Sequence, residues 1–206
     1  MKLYYAPGTC SQAVHIALRE SGRRVSLERV DLRSGRTATG RDWRSLNPKG
    51  YVPMLELDDG QQLTEVVNLL LYVADQAGDR ALGPAPLTME RYRLQEWLAF
   101  ISSELHKTFS PLFNPAFPEN ARPLNRDKIT HRLGYVAERL SAQEFLMGDR
   151  FSVADPYLFV MLGWAPKFAI DLAALPVLGR YRDRIAARPA VKEALEAEAA
   201  AGAAKQ

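Results

Sequence analysis

Cysteine is almost absent from this chain: of its 206 residues only Cys10 carries a thiol. One thiol forms neither an intramolecular disulfide nor a metal site made only of cysteines. His15 and His131 have no partner at metal-ligand spacing, and we expect both at the surface or partly packed. The sequence therefore predicts a reduced protein without a metal ion, and we expect it in the cytoplasm.

Long apolar runs and a strong charge of one sign are lacking as well. No run approaches the roughly 20 apolar residues of a membrane span, and the first residues lack the apolar stretch of a signal peptide. The 27 Lys and Arg against 24 Asp and Glu leave a formal charge of +3, too small an excess to require an anionic partner. We therefore expect a soluble, unexported protein that binds neither nucleic acid nor a membrane.

The apolar fraction of 47% is enough for a real core, and its pattern changes near residue 80. Before that point short apolar runs of strand type alternate with helical spacing in the order β-α-β, a polar loop, then β-β-α. Asp58-Asp59-Gly60 predicts a hairpin turn. The predicted elements are strands at 3–5, 25–30, 51–57 and 62–63 and helices at 10–21 and 65–77.

After residue 80 only helical patterns remain. Two glycines and two prolines in Gly78 to Pro86 predict a linker at 81–87, and Thr88 is a candidate cap for a long helix. The alanine- and glutamate-rich end from Glu193 predicts a fraying helix. The sequence thus predicts an α/β domain at 1–80 and an all-helical domain at 88–206, with further helices at 121–141, 152–168, 175–187 and 190–200.

Cys10 is the first candidate functional residue, because it begins a helix directly after a strand and a Pro-Gly break. Unpaired amides and the helix dipole at that place can lower the pKa of a thiol. A free cysteine is more often an inert small apolar residue, and this alternative stays open. The residue three positions on is Ala13, so dithiol exchange of the Cys-x-x-Cys type is excluded.

Two further positions carry a functional and a structural alternative. A cis peptide at Val52-Pro53 would present the Val52 backbone to another extended chain, although trans is the commoner state of such a bond. Glu65 places a carboxylate beside the open amides of a helix start, which suits a zwitterion. A glutamate there also simply complements the helix dipole.

Polar residues on the long helix form a further candidate group. Ser103, His106 and Lys107 follow the i, i+3, i+4 spacing of one helical face, which is either a pocket wall or a solvated surface. Basic residues between Arg23 and Lys49 are either a solvated loop or, at Arg36 or Lys49, a cation that steers an anion.

Phe151 to Asp155 has the form of a helix-start box. The Ser152 hydroxyl is predicted to accept from the amide three residues on, and the Asp155 carboxylate from the Ser152 amide. We interpret this box as a folding signal without a role in function.

Taken together, the order and spacing of these segments resemble the cytosolic glutathione S-transferases, and more narrowly their bacterial beta class. The resemblance covers essentially the whole chain. It implies a thioredoxin-like N-terminal domain followed by an all-α domain. The segments that carry it are MKLYYAPGTCS, LNPKGYVPMLELDDG, TEVV, SSELHKTFSPLF and FSVADPYLF.

The resemblance implies a role for individual residues. Cys10 would lie beside the sulfur of glutathione, with Ser11 or His106 as donors near it. Val52, before a cis Pro53, would pair with the cysteinyl backbone, and Glu65 with the Val66 amide would hold the γ-glutamyl end. The other residues implied to bind glutathione are Arg36, Tyr51, Ser103, Glu104, His106 and Lys107, of which Ser103 and Glu104 would act across a homodimer interface.

The function implied is conjugation of glutathione, as co-substrate, to a small hydrophobic electrophile. Phe109, Phe113 and Trp164 are the candidate walls of the electrophile pocket. Two alternatives remain: a glutathione-dependent thiol reductase or peroxidase that uses Cys10, and a non-catalytic module that binds glutathione or another ligand.

Overall fold

The computed structural model describes residues 1–78 and 82–203. The predicted domain end at residue 80, the first residue of the predicted linker and the last three residues of the chain lie outside this part. Within it, the chain forms two compact units. One combines Met1–Leu82 with Ala187–Gln206, and the other is Gly83–Ala186.

The strands form one sheet with the order β3-β2-β1-β4-β5. β1 pairs in parallel with β2, while the β1–β4, β4–β5 and β2–β3 pairs are antiparallel. The predicted parallel β-α-β unit and the hairpin through Asp58-Asp59-Gly60 are therefore confirmed. The strands are β1 Lys2–Tyr5, β2 Ser26–Asp31, β3 Arg36–Thr37, β4 Met54–Glu56 and β5 Gln62–Thr64.

The helices account for most of the remaining chain. α4 continues directly into a π-helical segment, Ile101–His106, and 3-10 turns follow α5 and α7. The helices are α1 Ser11–Glu20, α2 Trp43–Leu46, α3 Val66–Gln76, α4 Met89–Phe100, α5 Lys107–Phe109, α6 Arg122–Ser141, α7 Ala154–Trp164, α8 Pro176–Ala186 and α9 Pro189–Ala203.

Successive side chains of β1 point to opposite faces of the sheet, and both faces are buried at this strand. Leu3 lies opposite Leu55 of β4, and both are fully buried. The next residue, Tyr4, lies opposite Met54 and packs against Trp43 on the other face. The rings of Tyr4 and Trp43 lie 5.3 Å apart. α2, which carries Trp43, therefore closes the face that α1 and α3 leave open.

Two predictions for the first unit need correction. The predicted strand at 51–57 begins only at Met54, because Pro53 has no N–H to donate to a ladder. The segment expected to be a polar loop contains β3 and α2. Asp42 begins α2 by accepting a hydrogen bond from the Arg44 amide at 3.2 Å.

The predicted fraying of the last helix is wrong for α9. This helix packs against α1, with Val191, Ala194 and Glu198 buried, since small alanine side chains let two helix backbones approach closely. The predicted division of the chain assigned residues 187–203 to the helical domain. Contacts in the structure group them with the first unit instead.

Glu198 is the polar centre of the α1–α9 contact. Its carboxylate accepts from the Gly8 amide at 3.2 Å, from Gln12 Nε2 at 3.0 Å and from His15 Nδ1 at 3.1 Å. Arg19 Nε donates to His15 Nε2 at 3.3 Å, so the neutral ring carries its proton on Nδ1. His15 is fully buried, and the expectation of a surface or partly packed residue is wrong.

The second unit is built around α7. All of its residues except Gly163 are buried, as expected for a helix that is apolar on every side. α4, α8 and the π-helical segment contact it. The predicted cap of α4 is confirmed, because Thr88 Oγ1 accepts from the Arg91 amide at 3.2 Å.

The helix-start box before α7 is more extensive than predicted. The Asp155 carboxylate accepts from the Ser152 amide at 2.7 Å, as expected, and also from the Leu146 amide and the Tyr181 hydroxyl. The Ser152 hydroxyl differs from the prediction: it accepts from the amide of Ala154, two residues on. The box thus ties α7 to α8 and to the loop before α7.

Candidate functional site

Cys10 lies at the end of the β1–α1 loop, immediately before the first residue of α1. The thiol is half-buried and donates to the carbonyl oxygen of Val52, with Sγ 3.4 Å from the oxygen. A helix start leaves its first amides without intrahelical partners. In α1 the Ser11 and Gln12 amides donate to the Thr9 hydroxyl and carbonyl, at 3.3 and 3.1 Å. The thiol therefore lies between a helix start that its own loop closes and the loop that precedes β4.

The charge state of this thiol differs from the prediction. Burial raises the pKa of Cys10 to about 12, and the negative charge of Glu65 adds to the rise. The amides of Cys10 and Ser11 act in the opposite direction, as the helix-dipole argument requires. Their effect is smaller than that of burial, so the expectation of a lowered pKa is wrong and the thiol is protonated at neutral pH.

Ser11 has a structural role in the described unit. Its fully buried hydroxyl donates to the Ala6 carbonyl at 3.1 Å and accepts from the Ala6 amide at 3.2 Å. The Thr9 hydroxyl lies 2.8 Å from it. These bonds brace the β1–α1 loop, and they turn the hydroxyl away from the predicted role of a donor beside the thiol.

The Val52-Pro53 peptide is cis, as the family resemblance implies. Val52 is buried, and its carbonyl accepts from Cys10. In the described part of the first unit, no acceptor faces the Val52 N–H. Val52 therefore has an N–H that is open to a ligand and a carbonyl whose hydrogen-bond donor is the Cys10 thiol.

Glu65 stands between β5 and α3 with φ at 70°, in the left-handed region that residues other than glycine seldom adopt. Its carboxylate lies 2.7 Å from Lys49 Nζ, which also donates to the Thr64 hydroxyl at 2.9 Å. The side chain of Glu65 remains 66% exposed. The first amides of α3, beginning with Val66, lack helical partners, and the first helical hydrogen bond runs from the Leu69 amide to the Glu65 carbonyl at 2.9 Å.

Two residues of the first unit that were predicted to bind glutathione, Arg36 and Tyr51, form their hydrogen bonds with residues other than Cys10, Val52 and Glu65. Arg36 is exposed, and its guanidinium donates to the Gly40 carbonyl at 2.9 Å. Tyr51 is 71% exposed, and its carbonyl accepts from Asn47. Lys49 reaches Glu65 instead, although the sequence suggested it only as a steering cation.

The second unit carries the other predicted polar residues on the π-helical segment. In a π-helix hydrogen bonds run from i to i+5, so the α-helical spacing assumed for Ser103, His106 and Lys107 does not hold across it. Ser103 donates to the Ala99 carbonyl at 2.9 Å. Glu104 accepts from Arg132 Nε at 2.9 Å, and Lys107 is exposed at the start of α5.

His106 ends the π-helical segment and is held by Tyr157 of α7. Its Nδ1 lies 2.7 Å from the hydroxyl of Tyr157, which is 1% exposed. The two rings meet nearly at right angles. Tyr157 was not among the predicted site residues, and the motif FSVADPYLF gives no signal for this contact beyond the family resemblance.

The predicted aromatic wall residues lie together in the second unit. Trp164 contacts Phe109 and Phe113 edge to face, with ring centroids 5.8 and 4.8 Å apart. Phe168, which was not among the predicted wall residues, lies 4.6 Å from Phe113. Phe109 and Trp164 are buried, whereas Phe113 is 39% exposed, so the cluster has a fixed base and an accessible edge.

Residues 1–78 and 82–203 contain no group of three or more histidine, cysteine or acidic side chains placed to hold a metal ion. Among the helices of the same ranges, none has the length and apolarity needed to cross a bilayer.

Comparisons with known proteins agree with this architecture. The family model for the glutathione S-transferase N-terminal domain matches residues 8–76, and the model for the C-terminal domain of the same family matches residues 100–189. A curated relative is the glutathione S-transferase GstA of Escherichia coli O157:H7. It is 46% identical over 198 residues, which are 96% of this chain and 98% of that protein.

Two solved structures extend the comparison. A sphingomonad glutathione S-transferase complexed with glutathione has a TM-score of 0.94 and 46% identity, and the alignment covers 97% of this chain and 99% of that one. The bacterial beta class glutathione S-transferase of Sphingomonas chungbukensis has a TM-score of 0.93 and 48% identity over 96% of this chain and 98% of that one.

Proposed function

Because the chain belongs to the glutathione S-transferase family, we propose that it binds glutathione and transfers the thiolate to small hydrophobic electrophiles. The observation that carries the proposal is the meeting of Cys10, Val52 and Glu65 in the first unit. The Cys10 thiol faces the Val52 carbonyl, and the charge of Glu65 acts on that thiol. Each of the three offers a group that glutathione needs.

Glutathione has two carboxylates, one ammonium and an extended backbone. We assign the γ-glutamyl ammonium to Glu65 and the neighbouring carboxylate to the Val66 amide, since the open amides of a helix start bind anions. The N–H and carbonyl of Val52 pair with the cysteinyl unit. Lys49 lies 2.7 Å from Glu65 in the structure, so binding exchanges one ammonium for another and frees Lys49 for a carboxylate.

Cys10 acts in this proposal as a hydrogen-bond donor. Its pKa of about 12 keeps it protonated at neutral pH, and glutathione would take the Val52 carbonyl from it. The S–H then points to the glutathione sulfur and favours its thiolate, because a donor stabilises the charged form. The thiolate forms a carbon–sulfur bond with the electrophile, the leaving group departs with its electron pair, and the thiol proton passes to solvent.

The remaining residues keep roles that rest on the family resemblance. We propose that His106 and Lys107 act at the sulfur or the glycyl end of glutathione, and that the Tyr157 contact orients the His106 ring. Phe109, Phe113 and Trp164 form walls for the electrophile. Ser11 contributes indirectly, because its hydroxyl braces the β1–α1 loop. We assign smaller contributions to glutathione binding to Arg36, Tyr51, Ser103 and Glu104.

The thiol reductase alternative is disfavoured by the state of Cys10. A thiolate is the reactive form in disulfide exchange and peroxide reduction, and burial raises the pKa of this thiol to about 12. The alternative of a non-catalytic binding module has no such observation against it, and the experiment below separates it from a transferase.

The test is an assay with glutathione and 1-chloro-2,4-dinitrobenzene between pH 6 and 8, beside retention on immobilised glutathione. We expect retention and a turnover that rises with pH as more glutathione thiolate forms. Retention without turnover above background on a panel of electrophiles would show a binding module. Loss of both would contradict the proposed function.

We also propose a cytoplasmic homodimer. The single cysteine supports the compartment, since disulfides mark exported proteins. An aromatic group on α4 and α6 with one exposed member supports the dimer: the rings of Trp97, Phe100 and Tyr135 lie within 5.8 Å of one another. Trp97 is buried and Tyr135 is 55% exposed. Light scattering should give twice the chain mass of 23.0 kDa, and Tyr135→Glu should shift the mass toward one chain.

A further inference from the structure

The accessible edge of the aromatic cluster carries a positive charge. Lys167 Nζ lies 4.9 Å from the centroid of the Phe113 ring, within the range of a cation–π attraction. In the described residues of the second unit, no carboxylate forms an ion pair with Lys167. The ammonium is thus held at an apolar surface without an anionic partner there.

The rings around this ammonium are arranged to receive another ring. Phe113 meets Trp164 and Phe168 at 78° and 85°, the edge-to-face geometry that aromatic pairs prefer. Phe113 is 39% exposed, so a planar molecule can pack against it in the same manner. A substituent on that molecule then comes within reach of Lys167.

We propose that this cluster selects aromatic electrophiles that carry an anionic substituent, a carboxylate or a sulfonate, and that Lys167 is the residue that binds the anion. The inference rests on the proposed function and gives it a substrate class. A cationic aromatic compound is disfavoured by the same ammonium, whereas a neutral one gains the ring contacts alone.

The experiment uses two substrates that differ in one charge, 4-chloro-3,5-dinitrobenzoate and its methyl ester. In both, the glutathione thiolate forms a bond to the ring carbon that bears chlorine. The carbon–chlorine bond then breaks, and chloride leaves with the electron pair. Each kcat/KM is divided by the rate constant of the uncatalysed reaction, which removes the difference in intrinsic reactivity, and the acid-to-ester ratio is compared between variants.

We expect Lys167→Met to lower this ratio about fivefold, the size of one partly exposed ion pair, with turnover of the ester preserved. Lys167→Arg should retain the ratio, and Lys167→Glu should lower it more than tenfold. Lys192→Met, at an exposed lysine of α9, serves as the control and should leave it unchanged. Salt should lower the ratio of the unmodified protein by screening.

An unchanged ratio in Lys167→Met, with both substrates turned over, would overturn the inference and leave the proposed function intact. A parallel loss of acid and ester turnover would overturn it too, since this indicates a structural role of the lysine. If the unmodified protein turns over neither compound nor 1-chloro-2,4-dinitrobenzene, the proposed function fails and the inference fails with it.

Discussion

Two helices of this protein begin beside an acidic residue, and the two carboxylates have opposite surroundings. Asp155, in the first turn of α7, is fully buried and accepts four hydrogen bonds, from the Leu146 amide, the Ser152 amide and hydroxyl, and the Tyr181 hydroxyl. Glu65, before α3, is 66% exposed and is paired with Lys49.

The difference shows how one local motif serves stability in one unit and binding in the other. The four hydrogen bonds to the Asp155 carboxylate all come from the protein itself, so the carboxylate is not available to a ligand. Glu65 has a partner that another ammonium can replace, and its strained backbone, with φ at 70°, holds the carboxylate beside open amides. A helix start that remains incomplete is therefore the stronger candidate for a site.

The largest effect is expected at the saturated carboxylate. Asp155→Ala leaves buried donors on three residues without an acceptor, and we expect a loss of about 3–5 kcal/mol in the free energy of unfolding. Urea denaturation measures it. Asp127→Asn, at an exposed position of α6, is the matched control. A loss below about 1 kcal/mol would show that the hydrogen bonds around Asp155 are not what holds α7 in place.

The next effect concerns Cys10, the thiol at the start of α1. With its pKa raised to about 12 by burial, alkylation by iodoacetamide at pH 8 should be at least about a hundredfold slower than for the unfolded chain. The stability that the protonated thiol contributes should be present below the ordinary pKa of about 8.5 and be lost as the pH rises toward 12. Alkylation at the rate of a free thiol would disprove the burial effect.

A smaller effect is expected for the exchangeable carboxylate. Glu65→Gln keeps the shape and removes the charge that we assign to the glutathione ammonium, so KM for glutathione should rise about thirtyfold, as for one charge-assisted hydrogen bond. The free energy of unfolding should change by less than about 0.5 kcal/mol. Glu193→Gln removes the exposed partner of Arg19 and should alter neither quantity.

The smallest effect is expected for Lys49→Met. Its ammonium and the Glu65 carboxylate are 50% and 66% exposed, and such surface pairs contribute about 0–1 kcal/mol. Urea denaturation should therefore detect almost no change. A loss above about 2 kcal/mol would mean that Glu65 is as firmly bound into the fold as Asp155, which removes the contrast between the two helix starts.

The sequence was informative wherever a pattern is local. The short apolar strand at β1, the turn at Asp58-Asp59-Gly60 and the cap at Thr88 follow from a few neighbouring residues, and the structure has all three. α2 was missed because four residues are too few for a helical period. Asp42 before Trp43 was the available signal, since aspartate is a preferred N-cap residue.

What the sequence could not supply were effects of distant residues. Glu198 contacts His15, which lies more than 180 positions earlier in the chain, and no periodic pattern in the sequence predicts that contact. The amides at the start of α1 do lower the pKa of Cys10, but burial raises it by more, and burial depends on packing that the sequence does not show. The sequence also predicted α-helical spacing for Ser103 and His106. Both lie in the π-helical segment, where this spacing does not hold.

The position of α9 has a consequence for biosynthesis. α1 leaves the ribosome well before the helix that covers it, with Glu198 at its centre, because the whole second unit separates the two in the sequence. Domains usually fold as the chain emerges, the N-terminal one first. Here the side of His15 that α9 covers stays uncovered until the second unit, which lies between α1 and α9 in the sequence, has been translated, so the first unit is completed only after α9 has emerged.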